Sequence, residues 1–212
     1  MTYEYPLIVT ISRQLGSGGT HIGQQISEKL NLLYLDREIV EKAAAQLGYR
    51  AEQIAPFDET TISQWKETIN YLSGAQKLFY STLEYFPTSN DIFEAEKEVI
   101  IQVAKVKSAV IIGRCGSYLL QNHPRHVSIF LHACKEFRIN RLQEFFGVSV
   151  DEAAKAIEVT DRSRSHYIHK FTGRDMNDAR QYHLAIDTSV FGFEAAKDLI
   201  VSYVNTRFKN GL

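Results

Sequence analysis

The stretch Ile8 to Ile22, IVTISRQLGSGGTHI, constrains this chain more than any other. Ile8, Val9, Thr10 and Ile11 form a short β-branched run that predicts a buried strand ending at Ser12. Three glycines follow, Gly16, Gly18 and Gly19, and a helical pattern then opens at Thr20 with Ile22, Ile26 and Leu30 on one face. In a strand, glycine loop and helix joined this way, backbone N–H groups can close around an anion, and the positive end of the helix dipole adds to their pull. The same layout also serves as a plain glycine turn between a core strand and a helix, and this stretch alone supports either reading.

Against the phosphate-loop pattern G-x-x-x-x-G-K-[ST], Gly16-Ser17-Gly18 overlays the glycine-rich part and Thr20 takes the magnesium-binding Ser/Thr position. Gly19 stands where the lysine belongs, and Arg13 where the first glycine belongs. The point charge that such loops direct at the β/γ-phosphates is therefore missing from its usual place.

The 212 residues, 44% of them hydrophobic, suit one sizeable core with an inserted subdomain. A net charge of −1 argues against a nucleic-acid polymer as partner, so any phosphate chemistry must use local basic clusters. Cys115 and Cys134 lack metal-ligand spacing and read as reduced, buried residues. The N-terminus carries no basic segment before a long apolar one, and no apolar run approaches the roughly 18 residues that span a bilayer. These features predict a cytoplasmic protein without a membrane partner.

Leu32 to Leu35 predicts a second short strand, with Asp36 and Arg37 at its carboxyl end and a helix over Glu38 to Leu47. Buried strands alternating with helices indicate a parallel sheet covered on both faces, whose ligands gather at the carboxyl ends of strands. Residues 50–107 differ. Ile62, Trp65, Ile69 and Leu72, then Phe79, Leu83 and Phe86, give a helical pair with an apolar seam, and a further helix runs from Asp91 to about Lys107. Such an insert can close over a substrate or pair with a second copy of the chain as a homodimer.

Ala109 to Ile112 predicts the third strand, ending in Gly113-Arg114-Cys115-Gly116, where Arg114 is placed to grip a phosphate. His126 to Leu131 predicts the fourth, followed by a helix over Lys135 to Phe146 with Arg138 and Arg141 on one face. Ser149 and Glu152 offer a capping box for a helix reaching about Arg164. Arg162, Arg164, Lys170 and Arg174 then form a basic run. Arginines two apart do not share a helix face, so a helix end or mobile loop suits them. His166 and His169, at i and i+3, lack an evident third metal ligand. Phe171 to Gln181 reads as a polar loop, Tyr182 to Ile186 as the fifth strand and Glu194 to Phe208 as the last helix.

Taken in order, VTISRQLGSGG from Val9, YLDREIVEKAA from Tyr34, IIGRCGSYLL from Ile111, DRSRSHYIHKFTGRD from Asp161 and AIDTSVFGFEAAKDLI from Ala185 resemble the cytidylate kinase-like family, a branch of the P-loop nucleoside monophosphate kinases. The resemblance implies one three-layer α/β/α domain over residues 1–212. Its parallel sheet has strand order 2-3-1-4-5, with a helical monophosphate-binding insert at about 50–107 and a lid at about 162–181. It implies ATP and magnesium as cofactors and phosphoryl transfer to a small nucleotide such as CMP or dCMP. Carried over by position, Gly16, Ser17, Gly18, Gly19 and Thr20 hold the ATP phosphates, with Thr20 toward the metal. Asp36, Lys42 and Arg114 lie on the monophosphate side. Arg162 and Arg164, with Lys170, are the lid charges, and Arg13 is the candidate to replace the lysine. The chain departs from the family pattern at Lys42, where an arginine is usual. Arg114 also lacks an aspartate just before it, and Met176 and Ala179 replace a tryptophan and a proline. These departures keep a second hypothesis in play: a nucleotide-binding regulatory or assembly protein on a kinase fold, without efficient turnover.

Overall fold

The computed structural model describes residues 5–36 and 90–209. The helix expected over Glu38 to Leu47, the seam from Ile62 to Phe86, Arg37 and Lys42 lie outside the described residues. β1 (Ile8–Arg13), β2 (Leu33–Leu35), β3 (Ala109–Ile112), β4 (His126–His132) and β5 (Leu184–Asp187) form one parallel sheet in the order β2-β3-β1-β4-β5. This is the order of the P-loop kinases. β1 lies at the centre, with Ile8 beside Ala109 on one side and His126 on the other.

Both faces of the sheet are covered, which is why its strands read as continuous apolar runs. On one face Val9, Ile11, Val110, Ile112, Val127, Ile129 and Leu131 pack against α1 (Gly19–Leu30) and α7 (Phe193–Lys209) through Ile22, Ile26, Ala196, Ile200 and Val204. On the other, Ile8, Leu35, Ala109 and Ile111 meet Val99, Ile100 and Ala104 of α2 (Asn90–Val106). Toward β4 and β5 this second face turns polar: Thr10 Oγ1 lies 2.8 Å from His126 Nε2, and Ser128 Oγ lies 2.8 Å from His183 Nδ1.

A short α3 (Gly116–Leu119) follows β3, and α4 (Lys135–Phe146) follows β4. α5 (Val150–Thr172) starts on the expected capping box, with Ser149 and Glu152 each bonding the other's backbone N–H. It does not end at Arg164. It runs on to Thr172 and stops at Gly173, which takes the left-handed conformation at φ 68°. The fifth strand also starts later than expected. Tyr182 instead closes a 3-10 turn (Ala179–Gln181), stacks on Phe130 at 5.2 Å and donates its hydroxyl to Met176 O. α6 (Thr188–Phe191) then leads into α7. Cys115 is buried as expected, whereas Cys134 is exposed, because it is the residue from which α4 starts. No helix among the described residues is long and apolar enough to cross a membrane.

Candidate active site

The glycine loop leaves the carboxyl end of β1 and is held from beneath. The Gln14 N–H donates to Leu131 O at 3.0 Å. Ser17 is fully buried, and its hydroxyl lies 2.9 Å from Gln14 O and 3.1 Å from Leu131 O. Thr188, also buried, donates to Ser17 O at 3.0 Å and His132 O at 3.1 Å. Ser17 therefore pins the loop to β4 with its side chain, and its carbonyl ties the loop to Thr188. Gly16 and Gly18 both sit at φ +82°, a left-handed conformation that favours glycine. Space forbids a side chain as well: a Cβ on Gly18 would lie 2.4 Å from the Phe193 ring, and one on Gly16 would lie 2.9 Å from Leu142 Cδ1. Gly18 caps α1 without a side-chain bond, and the first turn carries no acidic residue, so the amino end of the helix presents its N–H groups to a ligand. Thr20 is exposed in that first turn.

Arg13 closes the side of the loop where the lysine is missing. Its aliphatic stem lies against Gly19, whose Cβ would come within 2.7 Å of Arg13 Cγ. Its guanidinium reaches over Gly113, where a Cβ would meet Nη1 at 2.2 Å, and on toward Asp36, with Nη2 3.9 Å from Oδ1. One side chain thus spans the carboxyl ends of β1, β3 and β2. The Tyr34 hydroxyl lies 3.3 Å from Asp36 Oδ2, and burial followed by the Asp36 charge pushes its phenol well above the usual range.

β3 ends in three successive left-handed residues, Gly113, Arg114 and Cys115, at φ 72°, 52° and 54°. Such a run is costly for non-glycine residues and directs Arg114 off the strand end. There its Nη1 lies 3.1 Å from Oε1 of Glu96 on α2. Glu96 is 1% exposed, and its Oε2 accepts the Tyr167 hydroxyl of α5 at 2.7 Å. Burial, then the charge of Glu96, pushes the Cys115 thiol up to about 12.

Of the two arginines expected in a lid, the structure places both within α5 and brings only Arg164 to the loop, where its Nη1 donates to Arg13 O at 3.1 Å. Arg162 points outward and pairs with Glu158 at 2.5 Å, both side chains being largely exposed. Lys170 is exposed, with Nζ 5.0 Å from the Phe171 ring centroid. His166 and His169 are also exposed, and no group of three metal-binding side chains occurs among the described residues. A feature not anticipated from sequence is a cleft of about 540 Å³ beside the loop, between α4 and the start of α7. Its wall is the Arg141 guanidinium stacked 4.1 Å above Phe193, the same ring that packs on Gly18. The signal was present in sequence, as Arg141 one helical turn after Arg138 and Phe193 just after Gly192, but no spacing ties residues 52 positions apart.

The family model described as the cytidylate kinase-like family matches residues 8–190. The chain belongs to the cytidylate kinase-like family. A cytidylate kinase from Pyrococcus horikoshii is 25% identical over 204 residues, which cover 94% of this chain and 88% of that relative. Among solved structures, an uncharacterized protein from Eubacterium ventriosum superimposes with a TM-score of 0.71 at 24% identity, covering 94% of this chain and 98% of the other. Shikimate kinase from Bacteroides thetaiotaomicron follows the same fold at a TM-score of 0.50 and 12% identity, over 96% of this chain and 98% of its own. The kinase-like P-loop fold of this family member therefore rests on both its topology and its relatives.

Proposed function

We propose that this chain transfers the γ-phosphoryl group of ATP to a nucleoside monophosphate of the cytidylate type, in the cytoplasm and with magnesium. The observation that carries the proposal is Arg13, whose side chain runs from the glycine loop across Gly113 to Asp36. In this reading a cation lies on the line between donor and acceptor, although the loop itself has no lysine.

Gly16 and Gly18, both at φ +82°, turn the loop toward the amino end of α1, and a Cβ at either position would collide with Leu142 or with the Phe193 ring that packs against the loop. The cleft beside Arg141 and Phe193 suits the donor's base, a flat ring that stacks on a guanidinium. Arg114, set by Glu96, is the grip for the acceptor phosphate. The acceptor oxygen is already anionic, so no strong general base is required. Its bond to the γ-phosphorus forms as the bond from that phosphorus to the β–γ bridging oxygen breaks, and ADP leaves. Charge spread over the transferring group is met by Arg13 and Arg164, which act by position and field. Magnesium would neutralise the β- and γ-oxygens. Thr20, exposed in the first turn of α1, is the residue that would hold it.

The second reading, nucleotide binding without turnover, rests on Gly19. One assay separates the two: magnesium-dependent ATP consumption against CMP, dCMP, UMP and AMP, with Arg164→Ala alongside. Turnover on a cytidine nucleotide that the variant loses supports the kinase. ATP binding with no turnover on any acceptor favours the regulatory protein.

A further inference from the structure

The pair formed by buried Arg138 and half-buried Asp161 lies outside every role assigned so far. Arg138 is only 7% exposed, although it stands in the first turn of α4. Its Nη1 lies 2.5 Å from Asp161 Oδ2 and 3.2 Å from Leu15 O. Asp161 Oδ1 in turn accepts the Leu15 N–H at 2.8 Å. Both polar groups of Leu15, the residue just before the first loop glycine, are thus held by one ionic ring. The Leu15 side chain is buried as well, among Leu142, Val148 and Ile157 of the α4–α5 hairpin. The Cβ of Arg138 also walls the space beside Gly16.

Burying two charges is a poor way to gain stability, since a well-packed apolar pair does as well or better. What an ionic ring supplies and an apolar pair cannot is a fixed direction for the two peptide groups that flank Leu15. Those peptides set the entry to the cradle. Asp161 is also three residues before Arg164, on the same face of α5, and Arg164 holds the carbonyl of Arg13.

We infer that Asp161 and Arg138 are positioning residues for the phosphate donor: they lock Leu15 and so tie the shape of the glycine loop to α5. The inference rests on the kinase reading for what the loop binds, but not for how the loop is held.

The test uses Asp161→Asn, which keeps an oxygen for Leu15 N–H but removes the charge from Arg138. It is paired with Arg138→Lys and Arg138→Met. MgATP affinity is measured by calorimetric titration, KM for ATP and for CMP by steady-state kinetics, and amide hydrogen exchange over residues 14–19 by mass spectrometry. Asp161→Asn is expected to weaken MgATP binding tenfold or more, raise KM for ATP and leave KM for CMP within twofold. It is also expected to speed exchange of the loop tenfold. Arg138→Lys should recover much of what Arg138→Met loses. If Asp161→Asn does not fold, the lysine and methionine variants give the same comparison. MgATP binding and loop exchange within twofold of wild type would overturn the inference, as would equal losses in both KM values. A wild-type protein that binds no MgATP overturns the kinase reading instead. Loop exchange then decides the present inference alone, and unchanged exchange in Asp161→Asn rejects it.

Discussion

Arg13 and Gly19 share one space: the stem of Arg13 lies where a side chain at 19 would begin, 2.7 Å from Cγ and 2.8 Å from Cβ. The lysine of the usual loop and the arginine of this one are therefore alternatives that exclude each other. Gly19→Lys alone should lower kcat/KM by a hundredfold or more, although it restores the familiar motif. Arg13→Ala should cost about 2–4 kcal/mol of transition-state stabilisation, the scale seen when one preorganised charge-stabilising donor is lost. Arg13→Gly combined with Gly19→Lys should recover activity above either single variant. A double-mutant cycle reads the coupling, and additive losses would count against the exchange.

The two α5 arginines, Arg162 and Arg164, should separate cleanly. Arg164 touches the loop backbone, and Arg164→Ala is expected to cost roughly 2–4 kcal/mol in kcat/KM. Arg162 makes an exposed i, i+4 pair with Glu158, and such pairs contribute only about 0.3–0.5 kcal/mol. Arg162→Ala should leave turnover within about twofold. Equal losses in the two variants would mean that α5 rearranges on binding.

Glu96 joins α2, the turn after β3 and α5 through Arg114 and Tyr167. Glu96→Ala removes the ion pair with Arg114 and the hydrogen bond from Tyr167, and should lower unfolding free energy by about 1.5–3 kcal/mol in urea titrations. Tyr167→Phe removes one hydroxyl only and should cost about 1 kcal/mol. A Glu96→Ala protein as stable as wild type would show that these two contacts contribute nothing to the fold.

Acid should weaken the fold through the polar layer beneath β4. Burial, then the neighbouring His183, pushes the His126 imidazole down to about 3. The folded state thus keeps it neutral while the unfolded chain takes up a proton near pH 6.5. The unfolded state binds more protons across that window, so stability is full above about pH 6.5 and falls as pH drops toward 3. The slope from this one group approaches about 1.4 kcal/mol per pH unit. His183 is lowered in the same sense, chiefly by burial. Urea unfolding at pH 7, 6 and 5 should show this slope in wild type and a flatter one in His126→Asn. Identical slopes would remove His126 as the source.

How much of this was legible beforehand follows from which forces act locally. β1, β3 and β4 are runs buried on both faces, so hydrophobicity alone marked them, and Ser149 with Glu152 announced the start of α5 because a capping box is a local device. The end of α5 was misread for a reason that can be named. Arg162 and Arg164 cannot share a face, and the helix needs only one of them inside, with Arg162 in solvent and Arg164 on the loop. Asp161, Arg164 and Tyr167 recur at three-residue intervals and form the inward stripe, a pattern hidden by counting charges. Tyr182 left its expected strand because its ring had Phe130 to stack on, a partner 52 positions away. The pairing of Arg138 with Leu15 and the cleft at Arg141 are likewise products of tertiary contact, and no local signal carries them.

The left-handed turn that buries Cys115 gives the protein a built-in reporter. The chain has two thiols, one exposed at Cys134 and one buried at Cys115 in a cluster with Phe93 of α2 and Tyr167 of α5. A thiol reagent will label Cys134 at once and must wait for Cys115 until α2 and α5 part. With Cys134→Ser as background, the labelling rate becomes a clock for the parting of α2 and α5. A nucleotide that draws α5 inward should slow that clock without any probe being added to the protein.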